Sequence, residues 1–63
     1  MGLDIIRAIN NHKTFKFDVN SKRIVNTKFQ EETNIEEFLS IKHILNSNKI
    51  KYRFDKNFDI QIL

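Results

Sequence analysis

The sequence contains no cysteine and no proline, and Gly2 is its only glycine. Without cysteine the chain can form neither a disulfide framework nor a thiolate metal site. The lack of further glycine excludes a glycine-rich phosphate-binding loop. No run of about 20 apolar residues is present, so a hydrophobic membrane-spanning helix is excluded. The first residues lack the charged and then apolar segments of a signal peptide, and we expect a cytoplasmic protein.

A chain of 63 residues predicts one small domain, residues 1–63. A domain of this size buries only about 60% of the surface that its unfolded chain exposes, so its stability is marginal. Ten isoleucines, six phenylalanines and one tyrosine supply the apolar bulk of a core. This composition indicates a folded chain rather than a disordered one, to which a partner chain can add further buried surface.

The charges are mildly basic and mixed along the chain. Eleven lysines and arginines stand against eight acidic residues, for a formal net charge of +3. Interspersed charges are typical of a solvated surface, and the basic balance permits an acidic partner without requiring one. The abundance of isoleucine, asparagine and lysine is typical of AT-rich genomes, as in many bacteria, phages and plasmids.

The first half of the chain predicts a short helix followed by a hairpin. The segment Leu3–Asn11 has apolar residues at helical spacing. The segment Thr14–Val19 alternates apolar and polar residues, as a half-buried strand does, and a second strand follows over 23–29. The predicted pairs are Val19 with Val25, Phe17 with Thr27 and Phe15 with Phe29, with a three-residue loop at 21–23.

A central helix is predicted from a capping box, Thr33 with Glu36, to a polar stop at 46–48. Glutamates at its start favour the positive end of the helix dipole. Its six apolar residues span about 220° of the helical wheel, which is wider than one sheet contact needs. We expect Ile35, Phe38, Leu39 and Leu45 to face the sheet. Ile41 and Ile44 then lie on a flank that either the N-terminal helix covers or a partner contacts.

The last residues predict a second hairpin. The segment Ile50–Phe54 alternates, a turn follows at Asp55–Asn57, and a final strand alternates in phase with the first. The predicted pairs are Phe54 with Phe58, Tyr52 with Ile60 and Ile50 with Ile62. The complete prediction is an α+β fold: a short N-terminal helix and then ββαββ, with two antiparallel hairpins forming a sheet packed on the central helix.

The residues that carry chemistry are few. His12 and His43 are the only histidines, and no cluster has metal-ligand spacing, so we expect no metal and no cofactor. Ser40 and His43 are three positions apart on the predicted helix, close enough to touch. A nucleophile and base also need an orienting acid, an oxyanion hole and a pocket, and a solvated helix face is the simpler interpretation. We expect no enzymatic activity.

The outward face of the predicted sheet is basic. Its expected members are Lys16, Asn26, Lys28, Lys51, Arg53 and Gln61. The lysines and arginine are nucleic-acid-binding candidates, because such side chains contact phosphates. The strand aromatics all fall on the inward face, whereas single-strand-binding sheets expose aromatics for base stacking. Solubility and protection of the sheet edges explain the same charges.

Two functions remain open from the sequence. The first is a non-enzymatic regulator or inhibitor, of the kind that phages and mobile elements encode. It would dock on a larger protein through the Ile41 and Ile44 flank or through a strand edge. The alternative is a nucleic-acid-binding module that uses Lys16, Lys28, Lys51 and Arg53. A third possibility, a purely structural subunit of a larger assembly, is not separated from the first by the sequence. A homodimer is also compatible with the sequence, and it would favour the basic sheet face as the functional surface.

Overall fold

The computed structural model describes residues 1–28 and 35–63 and confirms the predicted α+β fold. The elements are α1 (Leu3–Asn10), β1 (Phe15–Asp18), β2 (Arg23–Asn26), α2 (Ile35–Ser47), β3 (Tyr52–Phe54) and β4 (Ile60–Ile62). The four strands form one antiparallel sheet in the order β1-β2-β4-β3, so that β1 and β3 are its edges. The predicted capping residue Thr33 and the strand position Phe29 lie outside the described residues.

The predicted register of the first hairpin is wrong. The observed pairs are Phe15 with Asn26, Lys16 with Val25, Phe17 with Ile24 and Asp18 with Arg23. The shift is an odd number of residues, which turns β2 over, because strand side chains alternate between the two faces. Ile24 is therefore buried in place of Val25, and Val19 lies in a four-residue loop with 69% of its surface exposed.

Long-range hydrogen bonds explain why β2 buries an asparagine. The Asn26 side chain donates to the Asn57 carbonyl at 3.0 Å, and the Asn26 backbone N–H donates to Asp59 Oδ1 at 2.8 Å. Buried polar groups are tolerated when they are bonded in this way. Asn26, which the sequence placed on the outward face, is thus an inward residue that is 6% exposed.

The second hairpin has the predicted faces but a register shifted by two residues. Tyr52 pairs with Ile62 and Phe54 with Ile60, and a five-residue turn joins the strands. Asp55 organises this turn, because its Oδ1 accepts the N–H groups of Asn57 at 2.9 Å and Asp59 at 3.2 Å. The left-handed backbone position of this turn is Phe58 (φ 64°), one residue after the predicted turn Asp55–Asn57.

The end of α2 directs the chain into β3 through a Schellman motif. Ile50 N–H bonds to the Leu45 carbonyl at 3.0 Å, and Lys49 N–H bonds to the Asn46 carbonyl at 3.1 Å. Lys49 takes the left-handed position (φ 57°) where glycine is usual. Ile50 then packs against the core, which sets the position at which β3 begins.

The core corrects the predicted orientation of the central helix. Its buried members are Ile9, Phe15, Ile24, Phe38, Ile41, Leu45 and Ile60. Ile41, expected on the flank, is 0% exposed. Ile35 and Leu39, expected to face the sheet, are 48% and 53% exposed. The helix is therefore rotated from the predicted orientation, and the side that is left open is the one with Ile35 and Leu39.

The short helix α1 lies on the other side of α2. Ile5 and Ala8 of α1 and the half-buried Ile44 of α2 line one shallow depression. Ile44 is thus close to α1, in agreement with the expectation that the N-terminal helix lies beside this flank. Within residues 1–28 and 35–63, no helix has the length and hydrophobicity that crossing a bilayer requires.

Candidate functional site

Side chains of the protein bond to two backbone N–H groups at the β1 edge of the sheet. The Phe17 N–H donates to Asn10 Oδ1 at 2.8 Å, and the Thr14 N–H donates to Glu37 Oε1 at 3.2 Å. Lys16 Nζ also donates to the carbonyls of Asn10 and His12, at 2.6 and 2.7 Å. The first bond occupies a backbone donor of β1, and the second occupies the N–H just before it; an edge strand otherwise presents such donors to another strand.

Among residues 1–28 and 35–63, the β3 edge is open. The Lys51 carbonyl accepts the Leu63 N–H at 3.0 Å, and the Asp55 N–H donates to the Asp59 carbonyl at 3.1 Å, so both groups point toward β4. In an antiparallel ladder, alternate residues point to opposite neighbours. The N–H and C=O groups of Tyr52 and Phe54 therefore point away from β4, to the free side of the sheet.

Exposed apolar side chains lie beside this edge, and we call Ile35, Leu39 and Phe54 the β3 flank. Phe54 is 52% exposed and packs edge-on against Phe38, with ring centroids 5.4 Å apart. Lys42 Nζ lies 5.0 Å from the centre of the Phe54 ring, a cation–π distance.

Two contacts place the side of α2 that carries Lys42 and Asn46 next to β3. The Lys42 ammonium reaches Phe54, and the Tyr52 hydroxyl donates to Asn46 Oδ1 at 3.0 Å. At 100° per residue, Lys42, Ile35, Asn46 and Leu39 fall within about 60° on the helix. The exposed aliphatic side chains of α2 therefore lie on the same side as the open strand.

The charge of the described residues around the β3 edge is positive, because the cluster of Arg23, Asp55 and Asp59 has a formal charge of only −1 and four further cations surround it. Arg23 lies 3.0 Å from the Asp55 carboxylate and 3.4 Å from the Asp59 carboxylate. Burial works to raise the pKa of Asp55, but the N–H groups of Asn57 and Asp59 and the Arg23 guanidinium outweigh it and hold that pKa below the ordinary 3.8. Four exposed cations of this region make no ion pair among the described residues: Lys49, Lys51, Arg53 and Lys56.

The structure separates the four candidates for nucleic-acid contact. Lys51 and Arg53 lie together at β3, whereas Lys16 lies on the opposite edge strand and donates to carbonyls at the end of α1. Lys28 follows β2, where its N–H donates to Asn26 Oδ1. A continuous basic face that joins all four is therefore not present, and the basic region is one edge.

The protein-binding candidates change as well. Ile41 is enclosed in the core and Ile44 is half-buried, so the exposed flank of α2 consists of Ile35 and Leu39 instead. In the sequence, the broad apolar arc of α2 indicated that part of its apolar surface would remain outside the contact with the sheet. The rotation of the helix, which decides which side that is, depends on contacts with the sheet.

A polar cluster fastens α1 to α2. His12 Nδ1 lies 3.0 Å from the Ile9 carbonyl, and His12 Nε2 lies 3.2 Å from Ser40 Oγ. Ser40 therefore contacts His12 rather than His43. His12 Nδ1 thus contacts a backbone carbonyl, whereas in a catalytic nucleophile–base pair an acidic side chain orients the base from that position. Ser40 also lies within α2, where backbone N–H groups are bonded along the helix. These contacts are best understood as structural.

Glu37 forms a second link, between α2 and the start of β1. Its carboxylate accepts the Thr14 hydroxyl at 2.8 Å as well as the Thr14 N–H. Burial acts to raise the pKa of Glu37, but the hydrogen bonds from Thr14 and Lys13 and the nearby His12 outweigh it and lower the pKa from its ordinary 4.5. A carboxyl whose pKa falls on folding stabilises the folded state above its ordinary pKa.

We expect Thr14→Val to cost about 1–3 kcal/mol at neutral pH, because it leaves a partly buried carboxylate without its hydroxyl donor. The stabilisation from ionised Glu37 is lost as the pH falls below 4.5 toward its lowered pKa, so the difference between the variant and the native chain should shrink there. Urea unfolding at several pH values measures this difference in the free energy of unfolding. Thr27→Val is the control: it removes a 2.6 Å bond to the Thr14 carbonyl, and its cost should not change with pH.

In the described part of the chain, no group of three or more histidine, cysteine, aspartate or glutamate side chains could hold a metal ion. Comparisons with family models, with curated proteins and with solved structures found no match to the chain. The open β3 edge, with its apolar flank and its unpaired cations, is the candidate functional site.

Proposed function

We propose that this chain is a non-enzymatic binding protein that docks on a larger protein through the open β3 edge and the β3 flank. A regulator or an inhibitor acts in this way. The observation that carries the proposal is the contrast between the two edges. Asn10 and Glu37 occupy the N–H groups of Phe17 and Thr14 at the β1 edge, whereas in the described part of the chain no hydrogen bond reaches the outward backbone groups of β3, which lie beside exposed apolar residues.

The nature of the flank favours a protein partner over a nucleic acid. Two of its three members are aliphatic, Ile35 and Leu39, and about half of each side chain is exposed. Aliphatic side chains with an aromatic neighbour suit the apolar centre of a protein interface, with the surrounding charges as its polar rim. Binding of single-stranded nucleic acid uses aromatic platforms spread along a basic groove, and here Phe54 is the one strongly exposed aromatic among the described residues.

The test is affinity capture of partner proteins from cells of the source organism with two matched variants. Leu39→Asp places a charge in the β3 flank, and Leu3→Asp places the same charge on α1, where Leu3 is 69% exposed. We expect proteins recovered with the native chain to be retained by Leu3→Asp and to fall at least about tenfold with Leu39→Asp, since a charge buried in an apolar contact costs more than 1.4 kcal/mol.

Circular dichroism of both variants controls for folding. A partner that Leu39→Asp retains at the native level would contradict docking through this flank. If both variants lose the partner equally, the contact extends to α1 and the proposed site is wrong.

A further inference from the structure

We propose that β3 accepts an acidic, extended segment of the partner as a fifth strand of the sheet. This inference rests on the proposed function and names the chemistry of the partner. Recognition by strand addition needs free backbone groups, pockets or surfaces for alternate side chains, and an edge that is not already covered. The β3 edge has each of these features.

The backbone supplies the first part of the recognition. The Lys51 carbonyl and the Asp55 N–H bond toward β4. The backbone groups of Tyr52 and Phe54, which are two N–H donors and two carbonyl acceptors, therefore point away from β4. An extended segment can pair with all four groups. The Tyr52 hydroxyl bond to Asn46 and the Phe54 contact with Phe38 hold these residues in place before the partner arrives.

The side chains of β3 then define what the added strand must carry. Lys51 and Arg53 project from one face of the sheet, and Tyr52 and Phe54 project from the other face, where the helix lies. A pairing strand keeps the same alternation. Its residues on the first face meet cations, and its residues on the second face meet the β3 flank. An alternating acidic and apolar segment fits both faces.

Charge separates a foreign segment from a second copy of the chain. If two β3 strands paired antiparallel in the registers centred on Tyr52 or on Arg53, Lys51 would stand opposite Arg53 or Arg53 opposite its own copy, and like charges directly opposite destabilise a sheet. Asp55 and Asp59 already bond to Arg23, so a new pair with a cation of a second copy would compete with those bonds. Lysines on an edge strand keep copies of a protein apart, and the same charges attract an acidic strand.

The probe is a capped heptapeptide in which valine alternates with glutamate, and its control is the same peptide with lysine in place of glutamate. Isothermal titration measures the affinities. Hydrogen exchange followed by NMR reports on single amides of the native chain. We expect the acidic peptide to bind and to slow the exchange of the Tyr52 and Phe54 amides, and we expect no binding of the lysine peptide.

A charge-swap variant sharpens the test. The double substitution Lys51→Glu and Arg53→Glu should weaken the acidic peptide about tenfold or more and should allow the lysine peptide to bind. The control is the double substitution Arg7→Glu and Lys13→Glu, which changes the net charge by the same amount at sites away from β3. It should leave the affinities for both peptides within about threefold of the native values, because exposed charges far from a contact contribute little.

When the acidic peptide binds, three outcomes still overturn strand addition. The first is equal binding of the acidic and lysine peptides. The second is binding without slower exchange at Tyr52 and Phe54. The third is that a short oligothymidylate binds more tightly than the acidic peptide, which would make the edge a nucleic-acid contact. If neither peptide binds while partner capture still depends on Leu39, strand addition is wrong and the proposed function stands. If capture is also independent of Leu39, both are wrong.

Discussion

Replacing Ile41 with aspartate is expected to unfold the protein, whereas replacing Leu39 with aspartate is expected to leave it folded. Ile41 is 0% exposed among core side chains, and Leu39, two positions earlier on the same helix, is 53% exposed. Truncating a buried isoleucine costs about 2–5 kcal/mol, and an unpaired charge in the cavity adds to that cost. A chain of 63 residues has a free energy of unfolding of about 3–9 kcal/mol, and the two costs together are of the same size, so we expect no stable folded state.

Circular dichroism and urea unfolding of the two variants check this result. Ile41→Asp should show no cooperative transition, and the midpoint of Leu39→Asp should stay near that of the native chain. Ile41→Val keeps the core apolar and should cost only about 0.5–1.5 kcal/mol, which separates the effect of charge from that of shape. A folded Ile41→Asp together with an unfolded Leu39→Asp would mean that α2 faces the sheet with its other side.

The second large effect is expected at Phe38. This side chain is 4% exposed, and its ring contacts three other rings, with centroids 6.1 Å away at Phe15, 5.4 Å at Phe54 and 5.0 Å at Phe58. Phe38 thus connects the edge strand β1, the edge strand β3 and the turn after β3. Phe→Ala in a core costs about 3–5 kcal/mol, which leaves Phe38→Ala marginally folded or unfolded.

The control for Phe38 is Phe54→Ala, which removes a half-exposed ring from the same cluster. It should cost clearly less than Phe38→Ala in urea unfolding, because less apolar surface returns to water. Phe54→Ala should nevertheless weaken partner binding, since its ring is part of the β3 flank. Equal costs for the two variants would show that the cluster stabilises the fold through Phe54 as much as through Phe38.

The order of helices and strands could be predicted because each element has a regular local pattern. The alternation at 15–18 and the helical spacing at 3–10 needed nothing beyond their own residues. Which residues of β2 point toward the core could not be predicted in the same way. Ile24 and Val25 are adjacent and both apolar, so either can face inward, and the choice is made by Asn26 bonding to Asn57 and Asp59 more than 30 residues later.

The candidate site was predicted only in part, for a similar reason. The apolar arc of α2 was wide enough to show that one side stays open, and Lys51 with Arg53 were recognised as exposed cations. Which side is open depends on the rotation of the helix against the sheet. Three ring contacts of Phe38 accompany that rotation, and they bring together residues from both hairpins that no local pattern relates.

The bonded N–H groups at the β1 edge also bear on how copies of this protein can assemble. A sheet with two open edges can stack end to end, with the last strand of one molecule on the first strand of the next, and such head-to-tail contacts build filaments. Here Asn10 bonds the Phe17 N–H and Glu37 bonds the Thr14 N–H, so a second molecule that paired with β1 would have to break these bonds. We therefore expect no head-to-tail filament, and we expect the acidic segment proposed for β3 to bind in a ratio of one to one.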